Sequence, residues 1–314
     1  MPKNKPIWVL GLMSGTSLDG VDGAAILTDG VDILDIGPTK YRPYGEEERA
    51  VLRSALGKWP GDPGLDQVNA LVLAAHMQVI REFPDVDAIG FHGQTLAHDP
   101  GGRGTHQIGD GAHLAAQAGK PVVWDFRSND VAMGGQGAPL APIYHWAMVR
   151  QAGVIAPVVI LNLGGVGNLT YVDPNLPPDQ GVLAFDTGPA NAPLDDFLWQ
   201  RCGQKFDKDA ALASRGTADQ SIISQFLDHP YFDTIPPKSL DRDAFDGLGT
   251  AVAGLSDCDG AATLTRAMVA GVVAGFNHMP QLPTQLWVAG GGRLNPLVMS
   301  ILARDLDVDV IKVE

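Results

Sequence analysis

Two cysteines, Cys202 and Cys258, are all that 314 residues contain, and no C-x-x-C pair is among them. That scarcity excludes a disulfide framework and a thiolate zinc site, and leaves both thiols with the ordinary expectation of burial. No apolar run approaches the roughly 20 residues of a bilayer span. Residues 1–6 lead straight into Ile7-Trp8-Val9-Leu10 without the apolar core of a signal peptide, so the expected compartment is the cytoplasm. Basic residues are few: 22 Lys and Arg stand against 36 Asp and Glu, a net charge of −14. Such a surface repels phosphate backbones and anionic lipid, so neither nucleic acid nor membrane is an expected partner. The strict nucleotide motifs are also lacking. No Walker lysine, no G-x-G-x-x-G after the first strand and no H-R-D loop occurs.

What the chain does have is a large apolar fraction, 45%, and 38 glycines gathered in blocks between apolar runs. This suits two ordinary α/β domains, with a boundary expected at the end of the aperiodic, glycine-rich stretch 125–142, giving domains 1–142 and 143–314. Strands are expected at 7–13, 21–27 and 31–36, then an amphipathic helix at 66–82 capped by Asp66. A short strand at 88–91 feeds His92-Gly93-Gln94-Thr95; a helix at 112–118 and a strand at 122–124 follow. Downstream, strands at 158–163, 169–172 and 182–185 repeat the opening pattern of strand, glycine turn, strand, strand. Helices at 261–279 and 295–306 flank a strand at 286–289, and a last strand covers 308–313. The repetition predicts a duplicated α/β fold whose halves face each other across a cleft.

Three glycine turns directly follow apolar strands: 11–20, 164–167 and 290–292. The first offers backbone N–H groups and hydroxyls from Ser14, Thr16 and Ser17 in one concavity, which suits phosphate, although tight turns demand the same residue types. Asp186 follows the strand at 182–185, where it either projects a carboxylate into a cleft or caps a turn. His92, Gln94 and Thr95 sit at another strand end, where His92 is either structural or pocket-lining. Arg127 carries a planar fork suited to a carboxylate, or else bridges domains. The Asp241-Arg242-Asp243 run reads as a solvated loop.

Eight blocks taken together carry a resemblance: Gly11 through Asp22, Phe91-His92-Gly93-Gln94-Thr95, Gln107-Ile108-Gly109-Asp110, Asp125-Phe126-Arg127, Gly134 through Leu140, Asn162-Leu163-Gly164-Gly165, Phe185-Asp186-Thr187-Gly188-Pro189, and Gly290 through Pro296. Their order and content resemble the anhydro-N-acetylmuramic acid kinase family, of the sugar kinase, Hsp70 and actin superfamily. The resemblance implies two duplicated actin-like (ribonuclease H-like) domains flanking an interdomain ATP cleft. It implies an enzyme that opens the 1,6-anhydro bond of its amino sugar with water and phosphorylates O6, using ATP and Mg²⁺, in recycling of cell-wall fragments.

By the same resemblance Asp186 is the catalytic base. Ser14, Gly15, Thr16, Ser17, Asp19 and Gly20 hold the ATP phosphates with Asn162, Gly164 and Gly165, while Gly290, Gly291, Gly292 and Asn295 pack on adenosine. His92, Gln94, Thr95 and Arg127 contact the sugar, with Arg127 on its lactyl carboxylate. No protein ligand of Mg²⁺ is assigned; Asp19 and Asp22 are candidates through water. Water is expected to attack the anomeric carbon opposite O6, with inversion. Family members continue with an acidic loop and a helix, so by resemblance a C-terminal helix is missing from this chain. A homodimer is the expected assembly, as the commonest symmetric one. Two other readings stand beside this one: a superfamily kinase of an ordinary free sugar, and a non-catalytic nucleotide-binding sensor.

Overall fold

The computed structural model describes residues 5–240 and 245–313; the Asp241-Arg242-Asp243 run lies outside them. The chain divides into two compact units, Met1–Leu140 and Ala141–Glu314. In the first, β1 (Ile7–Ser14) alternates strictly, burying Leu10, Leu12 and Ser14 and exposing Gly11 and Met13. A strand with that period lies on a sheet with one face to the core. β2 (Gly20–Thr28) and β3 (Ile33–Pro43) pair antiparallel in succession, whereas β4 (Ala88–Asp99) lies parallel to β1. β6 (Val122–Trp124) adds to β4 in parallel, and β5 (Gly104–Ile108) forms a hairpin with the far half of β4.

The second unit repeats the scheme. β7 (Val158–Leu163), β8 (Val166–Val172) and β9 (Val182–Pro189) are successive antiparallel neighbours, then β10 (Gln285–Ala289) lies parallel to β7 and β11 (Asp309–Lys312) parallel to β10. The order β3-β2-β1-β4-β6 therefore matches β9-β8-β7-β10-β11 strand for strand, with the same directions, and β5 is the addition. Both units are ribonuclease H-like, and the duplication expected from the glycine turns is a duplication of topology. β7 is buried almost throughout, as a central strand covered on both faces must be.

The long helix Asp257–Gly275, capped by the Ser256 hydroxyl on the Asp259 N–H, buries residues on both sides. Met268, Val269 and Val272 face the sheet core with Leu161, Leu286 and Phe185. Ala261, Leu264 and Ala267 face a second cluster with Phe197, Leu198 and Phe226. Among the described residues no helix is long and apolar enough to cross a membrane.

Several expectations need correction. The helix at 66–82 is α2, Leu65–Ile80, following α1 (Glu46–Ala55); its N-cap is Gly64 at φ +86°, and Asp66 lies inside the first turn, where its charge favours the helix end. β4 runs to Asp99 rather than stopping at Phe91, because β5 supplies antiparallel partners from Gln94 onward. The stretch 125–142 holds a short helix, Ser128–Ala132, and the start of another, Ala141–Gln151. Neither cysteine is buried: Cys202 ends the surface helix Asn191–Cys202 and is exposed, and Cys258 is half-buried.

His76, on α2, is fully buried, edge-on to Phe91. Its Nδ1 lies 2.7 Å from the Val72 carbonyl and must carry the proton, which leaves Nε2 buried without a partner. Burial holds its pKa at about 4, against an ordinary 6.5. Because the unfolded chain takes up this proton first as pH falls, stability contributed by neutral His76 is complete above pH 6.5 and disappears toward pH 4, a loss of about 3 kcal/mol. Urea midpoints should fall between pH 7 and pH 4.5. A His76→Leu variant should show a shallower fall, and an unchanged slope would refute this account.

Candidate active site

The β1–β2 turn is built around one buried hydroxyl. Ser14 ends β1 facing inward, 1% exposed, and its Oγ donates to Gln94 Oε1 at 2.5 Å and meets Tyr44 Oη at 2.9 Å. Gln94, fully buried on β4, returns a bond from Nε2 to the Gly15 carbonyl at 3.1 Å. Leu18, at φ +56° and buried, donates its N–H to the same carbonyl and pins the turn into the core. Thr16 and Ser17 are left at the exposed apex, and their backbone N–H groups have no acceptor among the described residues. Asp19 Oδ1 accepts from Ser17 Oγ at 2.8 Å and from the Gly20 N–H at 3.1 Å. Gly20 is obligatory, since a Cβ there would lie 2.4 Å from the Arg42 carbonyl oxygen. Gln94 thus braces the first glycine turn, while Thr95 Oγ1 accepts from Gln107 Nε2 at 3.3 Å.

His92 and Arg127 touch directly. His92 is 7% exposed, and its Nδ1, 2.9 Å from the Gly93 carbonyl, must carry the proton. Its Nε2 therefore accepts, from Arg127 Nε at 3.1 Å and Nη2 at 2.9 Å, while Arg127 Nη1 donates to the Gly137 carbonyl at 2.6 Å. Burial and the neighbouring guanidinium both push the His92 pKa down, so the ring is neutral. Arg127 is half-buried with no carboxylate partner among the described residues, and burial lowers its pKa. A desolvated guanidinium facing only a neutral ring and a carbonyl is one to which an anion would be attracted strongly.

In the second unit, the β7–β8 turn Gly164-Gly165 is tied to the end of β9. Ala190 N–H donates to the Gly165 carbonyl, Asn191 N–H to that of Gly164, and the Asn191 side chain to the carbonyls of Leu163 and Gly164. The N–H groups of Gly164 and Gly165 have no acceptor among the described residues, so they are open to an anion. Gly290, at φ +75°, follows β10; a Cβ would lie 2.6 Å from both Asn162 Oδ1 and the Leu163 carbonyl oxygen, which fixes glycine there. Asn295 is a helix cap, its Oδ1 accepting from the N–H groups of Leu297 and Val298. Beside it opens a cavity of about 660 Å³, bounded in part by Asn191, Leu194, Phe206, Gly291, Leu294 and Asn295. Phe206 and Leu294, each more than half exposed, give it apolar walls of the kind a purine face requires.

The sequence places Asp186 just past its strand, but β9 continues to Pro189, and Asp186 sits at a bulge where pairing skips from Asn168↔Asp186 to Gly167↔Gly188. Bulges re-aim side chains at strand ends. One loop holds the residue: Leu240 N–H donates to Oδ2 at 2.7 Å, Tyr231 Oη donates to the Asp186 carbonyl at 2.6 Å, and Asp186 N–H donates to the Lys238 carbonyl at 3.2 Å. Burial raises the carboxyl pKa, and the Leu240 N–H opposes that rise by favouring the ionised form. This is a desolvated carboxylate with one fixed donor, suited to take a proton.

Among the described residues no three His, Cys, Asp or Glu side chains converge as a metal site. Asp22, on β2, has its pKa raised by partial burial and then by the charge of Asp19, so the pair forms a spot of negative potential at the first turn. Tyr44, Tyr231, Lys238 and Leu240 were not legible as site residues, since each acts from 30 to 54 positions away. No periodicity or motif connects residues so far apart. Replacing Gln94 by Leu, of similar volume, should strip the Gly15 carbonyl of a buried donor and cost about 1–3 kcal/mol. Denaturant midpoints of the Gln94→Leu protein would measure it, and an unchanged midpoint would count against the bracing role.

Residues 7–313 match the family described as anhydro-N-acetylmuramic acid kinase. A protein of that name from Cereibacter sphaeroides is 56% identical over 317 residues, covering 100% of this chain and 85% of its own length. Another, numbered 1, from Jannaschia sp. is 52% identical over 98% of this chain and 83% of its own. Among solved structures, the (R)-2-hydroxyglutaryl-CoA dehydratase component A of Acidaminococcus fermentans aligns with 98% of this chain and 92% of its own, at TM-score 0.49 and 12% identity, too distant to bear on function. The match over residues 7–313, at better than half identity to the Cereibacter protein, establishes that this chain belongs to the anhydro-N-acetylmuramic acid kinase family.

Proposed function

We propose that the chain is an ATP-dependent kinase that opens 1,6-anhydro-N-acetylmuramic acid with water and phosphorylates O6, giving N-acetylmuramic acid 6-phosphate for the recycling of peptidoglycan fragments. Family membership supports the activity. Within the chain, the observation that carries it is Asp186, a partly desolvated carboxylate aimed by the Leu240 N–H.

Asp186 would take a proton from the water that attacks the anomeric carbon. As the C–O bond to that carbon forms, the anomeric bond to O6 breaks on the opposite face, and O6 becomes the phosphoryl acceptor. One base suffices because the departing oxygen is captured by phosphorus rather than by a proton, which removes the second carboxylate of an ordinary glycosidase. When bound, ATP supplies the phosphoryl group and Mg²⁺ neutralises its charge. The unpartnered N–H groups at residues 16–17, and those at 164–165, are each of a kind that would meet phosphate oxygens, and the cavity beside Gly291 would take adenosine. Asp19 and Asp22 would hold Mg²⁺ through its water shell, since this cation dehydrates reluctantly. Arg127, steadied by His92, would bind the lactyl carboxylate. The need for ATP fits a cytoplasmic setting.

ADP release with and without the anhydro sugar, with the product read by mass, tests the activity. A sugar-dependent gain of one phosphate and one water is expected, with labelled water delivering its oxygen to C1. Asp186→Asn should lower kcat by about 10²–10⁴-fold while leaving ATP affinity nearly intact, because the amide keeps the shape and loses the base. Full turnover in that variant would remove Asp186 from the mechanism. Arg127→Leu should raise KM for the anhydro sugar by about 10-fold or more, the value of a charged hydrogen bond. The same change should leave binding of 1,6-anhydro-N-acetylglucosamine, which has no lactyl group, unaltered; equal losses for both sugars would contradict the assignment.

A further inference from the structure

The loop that holds Asp186 carries a cation that the proposed reaction does not use. Lys238 is half-buried, and its Nζ donates to the Tyr231 carbonyl at 3.0 Å and reaches the Phe232 carbonyl at 3.4 Å, seven and six residues earlier in the same loop. The ammonium lies 4.6 Å from the centre of the Tyr231 ring and 5.6 Å from that of Phe185, the residue before Asp186. His278 Nε2 is 3.3 Å away, on a ring set edge-on to Phe185. Among the described residues no carboxylate forms an ion pair with Lys238, and Asp233 is the one acidic group near enough to favour its charge. Burying a lysine among rings and carbonyls costs solvation, and the bonds it makes draw the two ends of the loop together.

The backbone around that lysine is what grips Asp186. The Lys238 carbonyl accepts from the Asp186 N–H, and two residues on, the Leu240 N–H donates to Oδ2. Tyr231, whose carbonyl Lys238 holds, donates its hydroxyl to the Asp186 carbonyl. Three grips on one residue thus converge on a loop whose two ends the Lys238 side chain ties together. We propose that Lys238 is a positioning residue for Asp186, closing the 231–240 loop so that its backbone orients the carboxylate for proton transfer. The proposal rests on Asp186 being the base. Among the described residues, the titratable groups around the pair are Tyr231, which faces Asp186, and Tyr231, Asp233 and His278, which face Lys238.

In the full chain, Lys238→Met keeps the apolar stem and removes the ammonium. It should lower kcat by about 10²-fold, the effect of misplacing a reacting group by an ångström, with KM for ATP and sugar held within about two-fold. With the Leu240 N–H no longer fixed on Oδ2, the ionised carboxylate loses its donor and the acid limb of kcat/KM should move to higher pH. Lys238→Arg, which keeps charge and donors, should recover part of kcat and return the limb toward its wild-type position. If Lys238→Met does not fold, Tyr231→Phe, which keeps the ring and removes the hydroxyl on Asp186, should give the same shifted limb. Wild-type kcat with an unshifted limb in the folded variant, or a lowered kcat with an unshifted limb and no recovery in Lys238→Arg, would overturn the proposal. An inactive Asp186→Asn beside a normal Lys238→Met would defeat only the positioning role, whereas an active Asp186→Asn would defeat the reading beneath it.

Discussion

A carboxylate withdrawn from water takes up a proton unless fixed donors or charges hold it ionised, and the second unit is arranged around that constraint at Asp186. Burial raises the Asp186 carboxyl pKa, and a backbone donor opposes that rise. The bulge in β9 and the loop that reaches over it supply that donor, one backbone N–H on Oδ2. Around that loop a half-buried lysine packs against two aromatic rings and a half-buried histidine.

The two units share a strand order but brace their glycine turns differently. In the first, side chains do it: Ser14, Gln94 and Tyr44 form a closed polar cluster beneath the β1–β2 turn. In the second, Asn191 and the backbone at the start of its helix do it, bonding the carbonyls of residues 163–165. Carbonyls are occupied in both turns, at residue 15 and at residues 163–165, while the N–H groups of residues 16–17 and 164–165 have no acceptor among the described residues. A turn built that way presents a partial positive charge without any basic side chain. Such a turn is open to an anion even on a chain whose net charge is −14. Where a full positive charge is present, at Arg127, it is supported by a ring held neutral, and no acidic side chain among the described residues pairs with it.

Strand positions, the duplicated pattern and the glycine turns were legible in the sequence, because period-2 burial and backbone conformations open only to glycine leave local marks. Gly290 is one case: its positive φ, and the 2.6 Å at which a Cβ would meet Asn162 and Leu163, both demand that residue. Asp186 could be picked out by its place after an apolar strand, and the eight blocks supplied its family. The extent of β4 was not legible, since its second half exists only because β5 pairs with it. Nor was the exposure of Cys202, which depends on which side of its helix faces the core.

Composition, charge and local pattern therefore determined the class of this protein: two α/β units, glycine turns at strand ends and a carboxylate beside one of them. Tertiary structure alone decided what each polar group does. It turned Ser14 inward onto Gln94 and Tyr44, set His92 against Arg127, and brought Lys238 and Leu240 to Asp186. Those pairings join residues 30 to 80 positions apart. A hydrogen bond or a desolvated charge depends on distance in space, and sequence records distance only along the chain.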